Sequence, residues 1–270
     1  MPPGINAGWA TADQAFTTSI QMPSSRFPKS RLKLPPETIL ANASKVSRGQ
    51  PLSAEELIAL SPVPIPGAPL ETTALFIKTL FANTDSVNIV NNTNPHPDTK
   101  PQPKGPGLTM TAADWASEFS SLEPDALLPG HYWIRFNPVT AAGSGKYGSY
   151  CDVDVTRCAY CLVEFDDLPV EEQIPLFANL NLPIVAIIAS GGRSVHALVR
   201  LAPQTSPEQY KEFTKKLLKK LSRFGVDESN KNPSRFTRLP GVLRNPAAGL
   251  AGMQRLLYLN PNANGTPILK

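Results

Sequence analysis

The stretch from Tyr160 to Leu201 constrains the fold more than any other. It opens with the apolar run Cys161-Leu162-Val163, ends that run in Glu164-Phe165-Asp166-Asp167, and closes with Ser190-Gly191-Gly192-Arg193-Ser194-Val195-His196-Ala197-Leu198-Val199. Side chains alternate faces along a strand. Glu164 and Asp166 therefore share one face, opposite Val163 and Phe165. By the same parity Ser194 and His196 share a face, opposite Val195, Ala197 and Val199. Each strand has one face fit for a core and one that carries charge or hydrogen-bonding groups. Two carboxylates two residues apart on one face repel unless a cation sits between them, which is what a divalent-metal site for phosphate chemistry needs. A lone Glu-x-Asp is better read as a solvated strand end, so the surroundings decide.

A strand over 160–166 is followed by a helical segment, Val170 to Leu180, kept short or kinked by Pro175. Pro183 to Ala189 is an all-apolar run and reads as a buried strand. A strand over 194–201 follows the Gly191-Gly192 turn. Ser206-Pro207-Glu208-Gln209 starts a helix, with proline at the first helical position and a capping-box glutamine. Tyr210, Phe213, Leu217, Leu221 and Phe224 recur at helical spacing, Gly225 closes the helix, and Lys211, Lys215, Lys216, Lys219, Lys220 and Arg223 form its outer face. Phe236 to Leu239 is a last short strand, tolerating Pro240 as an edge. The order β-α-β-β-α-β is the split βαβ, or ferredoxin-like, unit of an α+β fold. In its usual strand order the first and third strands are neighbours, the helices cover one face and the other face stays open. Glu164 and Asp166 would then lie beside Ser194 and His196 on the open side, which favours a site over a solvated strand end.

Upstream the chain is less regular. Residues 1–36 read as a loose, basic arm, with at most a short helix near Ala10 to Phe16. Residues 37–107 read as an accessory helical and α/β region. Thr38 to Lys45 is a helix, Ser53-Ala-Glu-Glu-Leu57 is a capping box, Thr72 to Phe81 is an amphipathic helix and Val87 to Val90 a strand. Asn91 to Gly107 is rich in Asn, Pro and Lys and reads as a linker. Residues 108–270 form the core region, with the βαβ-type module at about 158–245. In it, Thr111 caps a helix burying Trp115 and Phe119, and His131 to Phe136 is a strand stopped by Asn137-Pro138. Ala141 to Ser149 is a Gly/Ser loop that must be mobile or ordered by a ligand.

The Gly191-Gly192 pair serves a hairpin turn, and its exposed amides also allow close approach to phosphate. Arg193 adds a forked donor. An anionic triphosphate held by Ser190, Arg193, Ser194 and His196, with metals on Glu164 and Asp166, is a coherent arrangement. Asp227, after Gly225-Val226, is either a turn residue or a third carboxylate for the metal. Arg235 and Arg238 either bind phosphate or the template strand, or pair with acids. The net charge of +4 is too small to establish nucleic-acid binding.

Glu164-Phe165-Asp166, Ser194-Val195-His196 and Asp227, in this order and spacing, resemble the three motifs of the archaeo-eukaryotic primase superfamily. Ser190-Gly-Gly-Arg-Ser-Val-His196, Asn232-Pro-Ser-Arg235, Arg238-Leu-Pro-Gly241 and Trp133-Ile-Arg-Phe-Asn-Pro138 are similar to primase-polymerases of phages, plasmids and related mobile elements. The match spans about residues 110–245. The resemblance implies a catalytic core in which an RRM-like module packs on an N-terminal α/β unit. It implies template-directed nucleotidyl transfer, as a DNA primase or DNA polymerase, with Mg²⁺ or Mn²⁺ on Glu164, Asp166 and Asp227. It implies that His196 contacts the phosphates of the incoming nucleotide and that Arg135, Asn137 and Arg238 line the nucleotide pocket. One departure is Glu164, where many members carry Asp, and Asp167 is an alternative ligand. The implied partners are a single-stranded DNA template, nucleoside triphosphates and a replicative helicase.

Three cysteines are too few for a disulfide framework and point to a reducing, cytoplasmic setting. Cys158 and Cys161 form a C-x-x-C, but Cys161 falls on the buried face of the Glu164 strand. Cys151 and His131 lack knuckle spacing, so packing cysteines are the better reading than structural zinc. No apolar stretch is long enough for a membrane span. Two other readings share these residues: a replication initiator or DNA-binding module with a vestigial polymerase site, and a metal-dependent phosphodiesterase.

Overall fold

The computed structural model describes residues 34–91, 101–123 and 125–269. Residues 1–33 of the expected arm, with its short helix, and residues 92–100 of the linker lie outside the described residues. Among the described residues three helices come first: α1 (Pro36–Ser47), α2 (Ala54–Ala59) and α3 (Pro69–Leu80). The capping box at Ser53 forms, with its hydroxyl accepting from the Glu56 amide and Glu56 accepting from the Ser53 amide. Next come β1 (Ser86–Val90), β2 (Leu108–Thr111), α4 (Ala112–Ser121), β3 (Leu128–Pro129) and β4 (Trp133–Arg135). Thr111 caps α4, accepting from the Asp114 amide, and Trp115 and Phe119 are buried as expected. The chain continues through β5 (Tyr160–Glu164), α5 (Val170–Asn179), β6 (Ile184–Ser190), β7 (Val195–Arg200) and α6 (Pro207–Leu221). It ends with β8 (Phe236–Arg238), β9 (Val242–Leu243) and β10 (Met253–Leu259).

These strands form two sheets, ordered β2-β1-β4-β8 and β3-β9-β10-β6-β7-β5. In the larger sheet β5 runs antiparallel to β7, with Glu164 directly opposite His196, and β7 runs antiparallel to β6. The first and third strands of the expected module are thus neighbours. Its fourth is not where the split βαβ pattern puts it. β8 pairs with β4 in the smaller sheet, and β10 flanks β6. On the edge of β5 away from β7 the described residues form a single isolated bridge, Phe165 to Val226, with the Asp227 amide donating to the Glu164 carbonyl at 2.8 Å. Pro233 and Pro240 bracket β8 and cannot donate to a ladder, so the strand is short. The Pro233 carbonyl is held by Asn137, next to β4.

The sheet face expected to be open is covered. Cys161, Val163, Phe165, Val195, Ala197 and Val199 face a core closed by α1, α5 and α6. Tyr160, Leu162, Val185 and Leu198 face a second core with Trp115, Phe119, Ile89 and Ile134 from the smaller sheet and its helices. Helix α3 packs on α4 across the linker and β1 pairs with β2, so residues on both sides of position 107 share one core. The loop 141–149 makes hydrogen bonds of its own. The Gly145 amide donates to the Ser149 carbonyl at 2.8 Å, and the Ser144 amide to Asp154 Oδ1 at 3.1 Å.

Candidate active site

Where the two sheets part, at the C-terminal end of β5, a cleft of about 630 Å³ remains. One wall carries Glu164, Asp166, Asp167 and Asp227. The hairpin between β6 and β7 supplies Ser190, Gly192, Arg193, Ser194 and His196, and the other wall carries Trp133, Arg235, Phe236, Arg238 and Arg244. The acidic and the serine-histidine segments therefore meet, in a crevice between two sheets rather than on a bare face.

His196 sits at the centre. Its Nε2 lies 3.3 Å from Glu164 Oε1 and 3.3 Å from Ser194 Oγ, and its Nδ1 lies 3.0 Å from Thr237 Oγ1. Thr237 comes from β8, so the sheet exchange that removes the fourth strand also sets the histidine ring. Asn230 Nδ2 donates to Glu164 Oε2 at 3.4 Å. The turn of the hairpin is tight. The Ser190 amide donates to the Ser194 carbonyl at 2.9 Å, and the Ser194 amide to Ser190 Oγ at 3.3 Å. Gly191 has φ 65, and a Cβ there would fall 2.6 Å from the Gly252 carbonyl oxygen, so only glycine fits. From below, fully buried Gln173 grips both neighbours of Ser194: its Oε1 accepts from the Val195 amide at 2.7 Å, and its Nε2 donates to the Arg193 carbonyl at 3.1 Å and the Leu168 carbonyl at 2.6 Å.

The opposite wall is cationic. Arg238 is 5% exposed, its guanidinium lies over the Trp133 ring at 4.6 Å, and its Nη1 is buried with no hydrogen-bond partner. Burial, then the nearby Arg244, pushes the Arg238 guanidinium down to about 9, which leaves it charged at neutral pH. Arg244 is likewise lowered by burial, and its Nη1 donates to the Ser190 carbonyl at 3.0 Å. Its head rests on Gly192, where a Cβ would lie 2.6 Å from Nη1. Burial, then Arg244 and Arg238, also holds His131 below the usual imidazole range. Two guanidiniums so close raise each other's cost, and an anion between them would relieve it.

Other expected residues lie differently. Asp166 follows the end of β5 and is exposed on the cleft rim. Asp227 also lines the cleft, but its carboxylate accepts from the Ser229 amide at 2.9 Å and the Ser229 hydroxyl at 2.7 Å. Among the described residues no three His, Cys, Asp or Glu side chains are gathered closely enough to hold a metal ion. The three acids thus share a cleft but not a point, while their oxygen-only chemistry suits Mg²⁺ or Mn²⁺.

Arg135 and Asn137 do not line the cleft. Asn137 is fully buried and spends its amide on backbone: Nδ2 donates to the Tyr160 and Pro233 carbonyls, each at 3.0 Å, and Oδ1 accepts from the Ala159 and Tyr160 amides, each at 2.9 Å. Arg135 lies over the Phe236 ring at 4.0 Å, bonds Asn88 Oδ1 at 3.1 Å and also donates to the Ser234 carbonyl. Both clamp the path of the chain into β8. Cys158 and Cys161 are buried in the helix-side core, where burial pushes the Cys161 thiol up to about 12, and Cys151 is exposed. The sequence reading missed Arg244, Thr237, Asn230 and Gln173. A lone arginine or threonine beyond the motifs carries no periodic signal; Gln173 was readable only as a polar residue on an apolar helix face.

No protein-family model and no curated protein sequence matches the chain. Two solved structures resemble it. One is the AEP domain of the cyanophage S-2L primase-polymerase, at 18% identity and TM-score 0.48 over 75% of this chain and 96% of that one. The other is primase RepB′, at 13% identity and TM-score 0.41 over 74% of this chain and 58% of that one.

Proposed function

We propose that the cleft binds a nucleoside triphosphate and that the chain is a template-directed nucleotidyltransferase, a DNA primase or DNA polymerase of a replication system. The observation that carries this reading is the buried, unpartnered Nη1 of Arg238 beside Arg244, facing a wall of carboxylates across the cleft. A site with cations on one side and acids on the other suits a polyphosphate whose charge is shared between guanidiniums and divalent ions.

In this reading Arg238, Arg244 and Arg193 hold the phosphate oxygens, and Ser194 with His196 fixes the triphosphate against the β6–β7 turn. The 3′-hydroxyl oxygen of the growing strand attacks the α-phosphorus, its proton passing to solvent water, and pyrophosphate leaves, its charge neutralised by the buried Arg238 and the half-buried Arg244. Mg²⁺ or Mn²⁺, once Glu164, Asp166 and Asp227 closed around it, would supply further charge neutralisation and a lower pKa for the attacking hydroxyl. His196 Nε2 stands 3.3 Å from Glu164 Oε1, so the ring and that carboxylate are in contact when no substrate is bound. Single-stranded DNA is the template, and a replicative helicase of a phage, plasmid or mobile element is the fitting partner. Calorimetric titration with a deoxynucleoside triphosphate and Mn²⁺ separates this from a vestigial site. The reading expects saturable 1:1 binding that weakens sharply for the monophosphate; no heat with either ligand would leave the DNA-binding module and the phosphodiesterase as the remaining readings.

A further inference from the structure

The chain's positive charge is not spread evenly. From Pro207 to Arg223, α6 and the turn after it carry six Lys or Arg against Glu208 and Glu212. That is a net +4, equal to the whole chain, and it leaves twenty cations and twenty acids balanced everywhere else. All six cations are exposed, while Tyr210, Thr214, Leu217, Leu218 and Leu221 are buried on the opposite side of the helix. Of the acids in this segment, Glu212 is drawn into a pair with Lys216 at 2.6 Å and Glu208 accepts from Ser206. Phe213, expected in the buried stripe, is instead 40% exposed at the flank of this basic face.

Position gives the charge a meaning. The C-terminal end of α6 abuts the acidic rim of the cleft. A Cβ on Gly225 would lie 3.0 Å from that of Asp167, Phe224 packs edge-on against Phe165 at 6.4 Å, and the Asp227 amide bonds the Glu164 carbonyl. The basic row therefore begins where the cleft opens. We infer that the solvent face of α6 is a docking surface for the sugar-phosphate backbone of single-stranded nucleic acid running to or from the cleft, an inference that rests on the nucleotidyltransferase reading. Lysines spaced one helical turn apart meet successive phosphates without reading bases, and Phe213 offers a ring on which a base can stack. A lipid surface is the poorer occupant, because the apolar face of α6 is already spent on the core.

The test compares two triple variants of equal net charge, Lys215→Ala/Lys219→Ala/Lys220→Ala on α6 and Lys45→Ala/Lys78→Ala/Lys146→Ala elsewhere, by anisotropy of a labelled oligo-dT over a salt series. Alanine is the best helix former, so the α6 variant keeps its helix, which circular dichroism verifies. With about 0.7 counterions released per single-strand phosphate contact, the α6 variant should lose roughly 2 from the slope of log K against log salt, and at least about tenfold in affinity at low salt. The control should keep both. An unchanged slope in the α6 variant, an equal loss in the control, or tighter binding of phosphatidylserine vesicles than of DNA overturns the inference. Triphosphate binding, measured on the same proteins, is independent: its absence from the wild type sinks the cleft reading, whatever the slopes show.

Discussion

A buried guanidinium with a nitrogen left unpartnered destabilises the fold that contains it, unless its ligand is an anion. Arg238 is in that position. Arg238→Met keeps the volume and removes the charge. Melting of the variant without ligand should occur at or slightly above the wild-type temperature, within about 1 kcal/mol. The same variant should lose at least about 2 kcal/mol of triphosphate affinity, roughly thirty-fold in Kd by calorimetry. Weaker folding with unchanged nucleotide affinity would make Arg238 a structural residue. Thr237 acts on the site through His196, whose Nδ1 it meets at 3.0 Å. Thr237→Val is isosteric and should cost about 1–2 kcal/mol in urea unfolding while shifting the ring-nitrogen NMR signals of His196. At this scale the motif residues were legible, since strand parity alone puts Glu164 and His196 on one face. Arg135 and Asn137 were misplaced because a polar residue at a strand end looks the same whether it faces substrate or clamps backbone.

The elements of the larger sheet repeat the lesson in another form. β5, β6, β7 and α5 are written in alternation, apolar runs and glycine turns, and they form where those signals place them. The sheet that β8 joins is not written locally, because pairing depends on which edge is within reach after Pro233. β10, an unread strand, takes the place beside β6, and the open face closes against a second core. Gln173 holds the hairpin these strands present. Gln173→Leu leaves the Val195 amide and the Arg193 and Leu168 carbonyls without their partner, so urea unfolding should show a loss of about 2–4 kcal/mol. Nucleotide KM should rise more than kcat falls, because in the proposed reading the groups displaced are those that would position the triphosphate. A stability loss with KM unchanged would show that the hairpin keeps its shape without Gln173.

For the whole molecule, the two cores share the larger sheet and should open together. Cys161 lies in the sheet with its thiol raised by burial, whereas Cys151 is exposed. Alkylation at pH 8 should modify Cys151 rapidly and Cys161 only at the rate of global unfolding, read by mass spectrometry of digested protein. Early labelling of Cys161 would mean the helix-side core opens on its own. No helix among the described residues is long and apolar enough to cross a membrane. The central claim is the proposal that the cleft binds a nucleotide and joins it to a growing strand. Its direct test is incubation of the chain with Mn²⁺, single-stranded template with and without a primer, and labelled ribo- or deoxynucleoside triphosphates, beside Glu164→Ala/Asp166→Ala protein shown to be folded by its melting curve. The account predicts template-dependent products from the wild type and none from the variant. Equal products from both, or none from a wild type that binds the triphosphate, would contradict it.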